Sequence, residues 1–126
     1  MNDDSFDPLI SFLQQVPAVK KYFGKGFYDD GNWWIKFGIN VENTLAWRVV
    51  QEIGFVTNYL SLDEKLPTLF YPVSPPPYLN GGIDFLSWII ESKTPDFTPN
   101  DLREWLEGRL PNPVSDIKEW NLDDED

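Results

Sequence analysis

The chain has 126 residues, 10 Lys and Arg against 21 Asp and Glu, a formal net charge of −11, and neither His nor Cys. That length suits one domain. The composition excludes disulfide scaffolds, Cys/His metal sites and every mechanism built on imidazole or thiol, and the charge opposes binding to a phosphate backbone.

The charge is concentrated at the ends. Residues 1–7 carry Asp3, Asp4 and Asp7, for −3; residues 112–126 carry six acids against Lys118, for −5. Between them, residues 8–111 hold 9 basic and 12 acidic side chains, a net of only −3. Six Trp, five Tyr and nine Phe exceed what a small core absorbs, so some rings are expected at the surface. No apolar run approaches the roughly 18–20 residues of a membrane span. The acidic N-terminus lacks the basic start of a signal peptide, so a cytoplasmic location is expected.

In chain order, Asp7-Pro8 reads as an N-cap and first helical residue, followed by an apolar stripe of Leu9, Ile10, Phe12, Leu13 and Val16. A second short helical turn is predicted over Ala18–Phe23, stopping at Gly24. Gly26–Ile39 reads as a hairpin, with Phe27-Tyr28 as one arm and Asp29-Asp30-Gly31-Asn32 as the turn. In its second arm, Trp33, Ile35, Phe37 and Ile39 share one face, and Trp34, Lys36 and Gly38 the other. The alternation therefore sends Trp33 inward and Trp34 to the more solvated side.

The longest helix is predicted over Leu45–Leu60, capped by Asn43 or Thr44, with Gly54 allowing close approach of another backbone. Leu66–Val73 reads as a strand that Pro67 and Pro72 confine to a sheet edge. Ser74–Gly82 combines a polyproline stretch with an Asn-Gly-Gly turn. Ile83–Glu91 is predicted as a short amphipathic helix on Ile83, Leu86, Ile89 and Ile90. Thr98-Pro99-Asn100-Asp101 starts another helix, lined by Leu102, Trp105, Leu106 and Leu110. Ile117 and Trp120 anchor the chain before an acidic tail at residues 121–126. The expected fold is one α+β domain. Its small antiparallel sheet, the hairpin plus Leu66–Val73, packs against a long helix and several shorter ones.

Catalytic and metal signals are weak. Asp29 and Asp30 are explained by turn chemistry, and no Glu falls at the twelfth position of an EF-hand loop. Gly24-Lys25-Gly26 lacks the spacing of a phosphate loop. No catalytic residue, cofactor or metal is expected, and the chain reads as a binding module. Its candidate contact residues are Trp34, as an exposed aromatic anchor, and Tyr78, Leu79 and Asn80, displayed on the proline-rich loop. Glu104 and Glu107 on a helix, with Asp123, Asp124, Glu125 and Asp126 in the tail, are the candidate acidic contacts.

The segments Trp33-Trp34-Ile35-Lys36-Phe37 and Ser74-Pro75-Pro76-Pro77-Tyr78-Leu79-Asn80-Gly81-Gly82 stand out in an acidic, aromatic-rich chain. In whole-chain character it resembles the immunity proteins of bacterial polymorphic-toxin and contact-dependent growth-inhibition systems. That class spans unrelated folds, so the resemblance implies a partner rather than an architecture. The implied partner is another protein, a basic toxin domain such as a nuclease, with no direct contact to nucleic acid. The alternatives are a carbohydrate-binding or carboxylate-dependent carbohydrate-active domain using Trp34, an acidic DNA mimic or anti-restriction protein, and an adaptor subunit. Acidic ends on a nearly balanced body favour electrostatic steering toward a protein over a mimicry face covering the whole domain. Deleting Leu122–Asp126 is therefore expected to slow association with the partner while leaving the unfolding midpoint unchanged, as stopped-flow and urea titration would show.

Overall fold

A pleated sheet organises this chain, and the apolar sides of the helices pack on one of its faces. The computed structural model describes residues 3–59, 64–73 and 85–120. Its strands are β1 (Val19–Phe27), β2 (Trp33–Asn40), β3 (Thr68–Val73) and β4 (Phe85–Ser92). They form a four-stranded antiparallel sheet in the order β1-β2-β4-β3. The helices are α1 (Asp7–Leu13), α2 (Ala46–Gly54), α3 (Pro99–Arg109) and α4 (Ile117–Trp120). A 3-10 turn at Asp3–Phe6 leads into α1, and a π-helical turn at Phe55–Tyr59 continues α2. The fold is the expected α+β domain, with one more strand than the sequence suggests.

β2 has neighbours on both sides and sets the core. Trp33, Ile35, Phe37 and Ile39 are all buried, as their alternation predicts. Their inward face meets Phe70 of β3, Trp88 and Ile90 of β4, and Leu9, Leu13, Val49, Ile53, Leu102 and Leu106 from the helices in one cluster. Phe70 stacks on Trp88 with ring centroids 4.9 Å apart and lies 6.3 Å from Phe37. Trp33, 1% exposed, donates its indole N–H to the Phe97 carbonyl at 2.6 Å. Its backbone N–H is received by the buried Ser92 hydroxyl at 3.0 Å.

Several local expectations are corrected. Ala18–Phe23 is not a helical turn: Val19 opens β1, reached through Ala18 at φ 72°. The strand pairs with β2 from Val19↔Ile39 to Phe27↔Trp33, with an irregularity between Val19 and Phe23. The helix predicted over Ile83–Glu91 is not formed from Phe85 on, and Ile83 lies outside the described residues. Phe85–Ser92 is β4, hydrogen-bonded to β2 on one side and β3 on the other. A strand flanked on both sides gains a full set of ladder bonds, which outweighs a helical spacing of four residues.

Helix runs over residues 46–59, close to the predicted Leu45–Leu60, but its end is π rather than α: α2 stops at Gly54, the π-helical turn covers Phe55–Tyr59, and Leu60 lies outside the described residues. Its N-cap is Leu45 rather than Asn43 or Thr44, although the Asn43 side chain accepts the Leu45 N–H at 2.8 Å. A Cβ at Gly54 would sit 3.8 Å from the Phe70 ring, an ordinary contact, so no close backbone approach explains that glycine. At the N-terminus, Asp7 is the first residue of α1 and not its cap. Of the two anchors before the tail, Trp120 is buried and Ile117 is 56% exposed.

Other expectations hold. α3 begins in a full capping box: the Thr98 hydroxyl accepts the Asp101 N–H at 3.0 Å, and Asp101 accepts the Thr98 N–H at 2.9 Å. β3 is an edge strand, as its prolines require. The π-helical turn seals that edge. The Asn58 amide donates to the Phe70 carbonyl and accepts the Phe70 N–H, both at 2.9 Å, taking the place of a neighbouring strand. Among the described residues no helix is long and apolar enough to cross a membrane. Ser92→Ala would leave the buried Trp33 N–H without its acceptor and is expected to cost about 1–3 kcal/mol. Thr98→Ala loses one cap, about 1 kcal/mol. Urea unfolding of both variants checks that order.

Candidate protein-binding face

The pleat that buries Trp33, Ile35, Phe37 and Ile39 turns Trp34, Lys36 and Gly38 to the opposite side of the sheet. Cross-strand partners share a face, so Gly24 and Gly26 of β1 and Ile89 and Glu91 of β4 lie there too. Pairing of β3 with β4 adds Leu69, Tyr71 and Val73. Leu69, Tyr71, Val73, Ile89 and Trp34 are all half-buried, and none belongs to the core cluster. Among the described residues, the apolar sides of the helices join the inner face, which leaves this outer one as a surface.

Two glycines position Trp34. A Cβ at Gly26 would come within 2.8–2.9 Å of three atoms of the indole, and one at Gly24 within 3.5 Å. The ring therefore lies down across the β1 backbone, in space that only residue 26 without a side chain leaves open. Beside it is a shallow cavity of about 390 Å³. Gly24, Gly38 and Ser87 are its small residues; Trp34, Tyr22, Phe23, Phe37, Lys20 and Lys36 are its larger ones. Tyr22 is 87% exposed, the most exposed large apolar residue among those described.

Glu91 ties the rest of the face together. Tyr28, just beyond β1, donates its hydroxyl to Glu91 Oε1 at 2.9 Å, and Tyr71 of β3 donates to the same oxygen at 3.0 Å. Lys93 Nζ lies 3.8 Å from Oε2. One carboxylate thus links the hairpin end, β4 and the far edge strand. Burial first, then the hydrogen bond to Glu91 and its charge, push the Tyr28 phenol up to about 12. Burial and the same carboxylate also raise Tyr71.

The sequence-derived candidates are distributed unevenly around this face. Trp34 lies on it, half-buried on glycine rather than covered by Trp120. Trp120 sits in the core and donates its indole N–H to the Val114 carbonyl at 2.9 Å. Glu104 and Glu107 are exposed on α3, in the helical layer, and the structure does not bring them to Trp34. Both contact Arg103: Glu107 at 2.7 Å and Glu104 at 3.7 Å. Tyr78, Leu79 and Asn80, and Asp123, Asp124, Glu125 and Asp126, lie outside the described residues. In the hairpin turn, Asp30 accepts the backbone and side-chain N–H groups of Asn32, as its turn reading predicts. Among the described residues no cluster of His, Cys, Asp or Glu could hold a metal ion.

Sequence reasoning passed over Tyr22, Tyr28, Lys36, Tyr71 and Glu91. The available signal was Gly24-x-Gly26 in register with Trp34, which becomes visible only once β1 is recognised as a strand. No protein-family model, curated protein or solved structure matches the chain.

The phenols donate to Glu91 only while protonated. Tyr28 therefore stabilises the fold fully below its ordinary pKa of 10 and loses that contribution as pH rises toward about 12. Spectrophotometric titration is expected to show Tyr28 ionising well above the ordinary phenol range. Glu91→Gln should lower its pKa only part of the way, because burial remains.

Proposed function

We propose that this chain is a non-enzymatic protein-binding module of the immunity type, which neutralises a cognate bacterial toxin domain in the cytoplasm by direct binding. The observation that supports this most is the Trp34 indole, laid on Gly24 and Gly26 on the sheet face away from the helices. An aromatic ring held in place before the partner arrives loses little conformational freedom on binding, and Trp is enriched among the residues that dominate interfaces. Half-buried Leu69, Tyr71, Val73 and Ile89 extend the apolar surface around it.

Chain-level properties supply the rest. A net charge of −11, most of it in the two ends, attracts a basic partner from a distance and raises the association rate. Absence of His and Cys leaves no imidazole or thiol for acid–base or nucleophilic catalysis. Blocking a toxin requires neither; it requires a stable contact over the toxin's working surface. The resemblance in whole-chain character to immunity proteins makes a toxin the preferred partner over a sugar or a DNA-binding enzyme.

Co-expression with the product of the neighbouring gene, which the proposal expects to end in a toxin domain, tests the proposal. The expected result is a complex whose association rate falls as salt rises, and protection of the host cell from that domain. Trp34→Ala should weaken the complex at least tenfold while the isolated chain keeps its unfolding midpoint. No complex at low salt would remove the toxin-neutralising reading.

A further inference from the structure

The cavity beside Trp34 differs in charge from the rest of the molecule. From Pro17 to Tyr28 the sequence holds Lys20, Lys21 and Lys25 and no acid. Lys20 and Lys36 both line the cavity. The carboxylate on the same face, Glu91, is held by the Tyr28 and Tyr71 hydroxyls and faces Lys93. A chain with a surplus of eleven negative charges thus sets the exposed Lys36 beside its best-positioned aromatic ring.

That pairing selects among ligands. An indole alone would attract a cationic side chain through its ring face. Lys36 opposes a cation here and favours a carboxylate. A long polyanion is disfavoured as well, because a net charge of −11 repels a phosphate backbone at distances where two or three lysines cannot compensate. A short ligand that combines an apolar side chain with one or two carboxylates satisfies both the ring and Lys36.

We propose that the cavity formed by Trp34, Tyr22, Lys20 and Lys36 on the outer sheet face receives an acidic, aromatic-bearing segment of the protein partner. This rests on the protein-binding reading and deepens it. Acidic ends attract basic proteins without discrimination, whereas the cavity checks for a carboxylate at one place and so separates the cognate partner from other basic proteins. The apolar side chain packs on the indole and the carboxylate meets Lys36. A partner bringing lysine to that position would place like charges together in a partly desolvated contact, the repulsive element that specificity needs.

The decisive measurement uses the full chain and needs no partner. Three blocked pentapeptides, Ac-Ala-Phe-Asp-Glu-Ala-NH2, its Asn-Gln counterpart and its Lys-Lys counterpart, are titrated while the indole N–H signal of Trp34 is followed by NMR, with Trp34→Phe assigning the signal. The acidic peptide is expected to shift that signal in the millimolar range. The amide peptide should bind about three- to fivefold more weakly, in keeping with one partly exposed charge pair, and the Lys-Lys peptide should not bind. Lys36→Gln, at an exposed position, should erase the difference between the acidic and amide peptides without changing the unfolding midpoint. Equal binding of acidic and amide peptides, preference for the Lys-Lys peptide, or no shift with any of them overturns the proposal. A shift with glucuronate but with no peptide overturns it in favour of a carbohydrate ligand. In the co-expressed complex, an undiminished affinity of Lys36→Gln beside a loss with Trp34→Ala overturns the carboxylate contact while partner binding stands.

Discussion

The pairing of β2 on both of its edges is the constraint on which the rest of the structure depends. A strand with neighbours on either side cannot shift by one residue without turning Trp33, Ile35, Phe37 and Ile39 to the surface and Trp34 and Lys36 into the core. Specific contacts pin the register. The Ser92 hydroxyl receives the Trp33 N–H, the Phe97 carbonyl receives its indole, and Gly26 stands opposite Trp34 where any side chain would collide with the ring. Core and surface are therefore decided by the same strand, residue by residue.

Closing the sheet edges leaves the outer face as the part of the sheet on which recognition is proposed. At β3, Pro67 and Pro72 withhold donors and Asn58 occupies the backbone of Phe70. At β1, three lysines and an irregular register discourage another strand from pairing. Neither edge invites strand addition, so a partner meets side chains. Glu91 keeps those side chains in place by linking Tyr28, Tyr71 and Lys93 across the face.

In the proposed binding, charge and shape divide the work. The ends hold most of the negative charge and act over a distance set by screening, about 8–10 Å at ordinary salt. In the proposed complex the indole on its two glycines acts only at contact, with the exposed Lys36 beside it. On the proposed reading, such a mosaic gives fast encounter with many basic proteins and stable binding to few. Glu104 and Glu107 belong to neither role in a simple way, because Arg103 partly neutralises both.

Local patterns legible in the sequence were those whose cause lies within a few residues. The alternation of Trp33–Ile39, the Thr98 capping box and the edge position of β3 each follow from side-chain period, a cap or a missing N–H. The segment Ala18–Phe23, stopped by Gly24, reads as a short helical turn until β2 supplies a ladder and Trp34 claims the space that Gly24 and Gly26 leave. Phe85–Ser92 lies between β2 and β3 and needs apolar residues on both faces, Trp88 and Ile90 inward and Ile89 outward. Such a strand loses the alternation that would mark it and imitates a helix. The sequence by itself determined the acidic ends, the absence of imidazole and thiol, and which side of β2 would be buried. Only the tertiary structure decided the strand order, the seat of Trp34 and the carboxylate that joins three strands, because each depends on residues far apart in the chain meeting across a sheet.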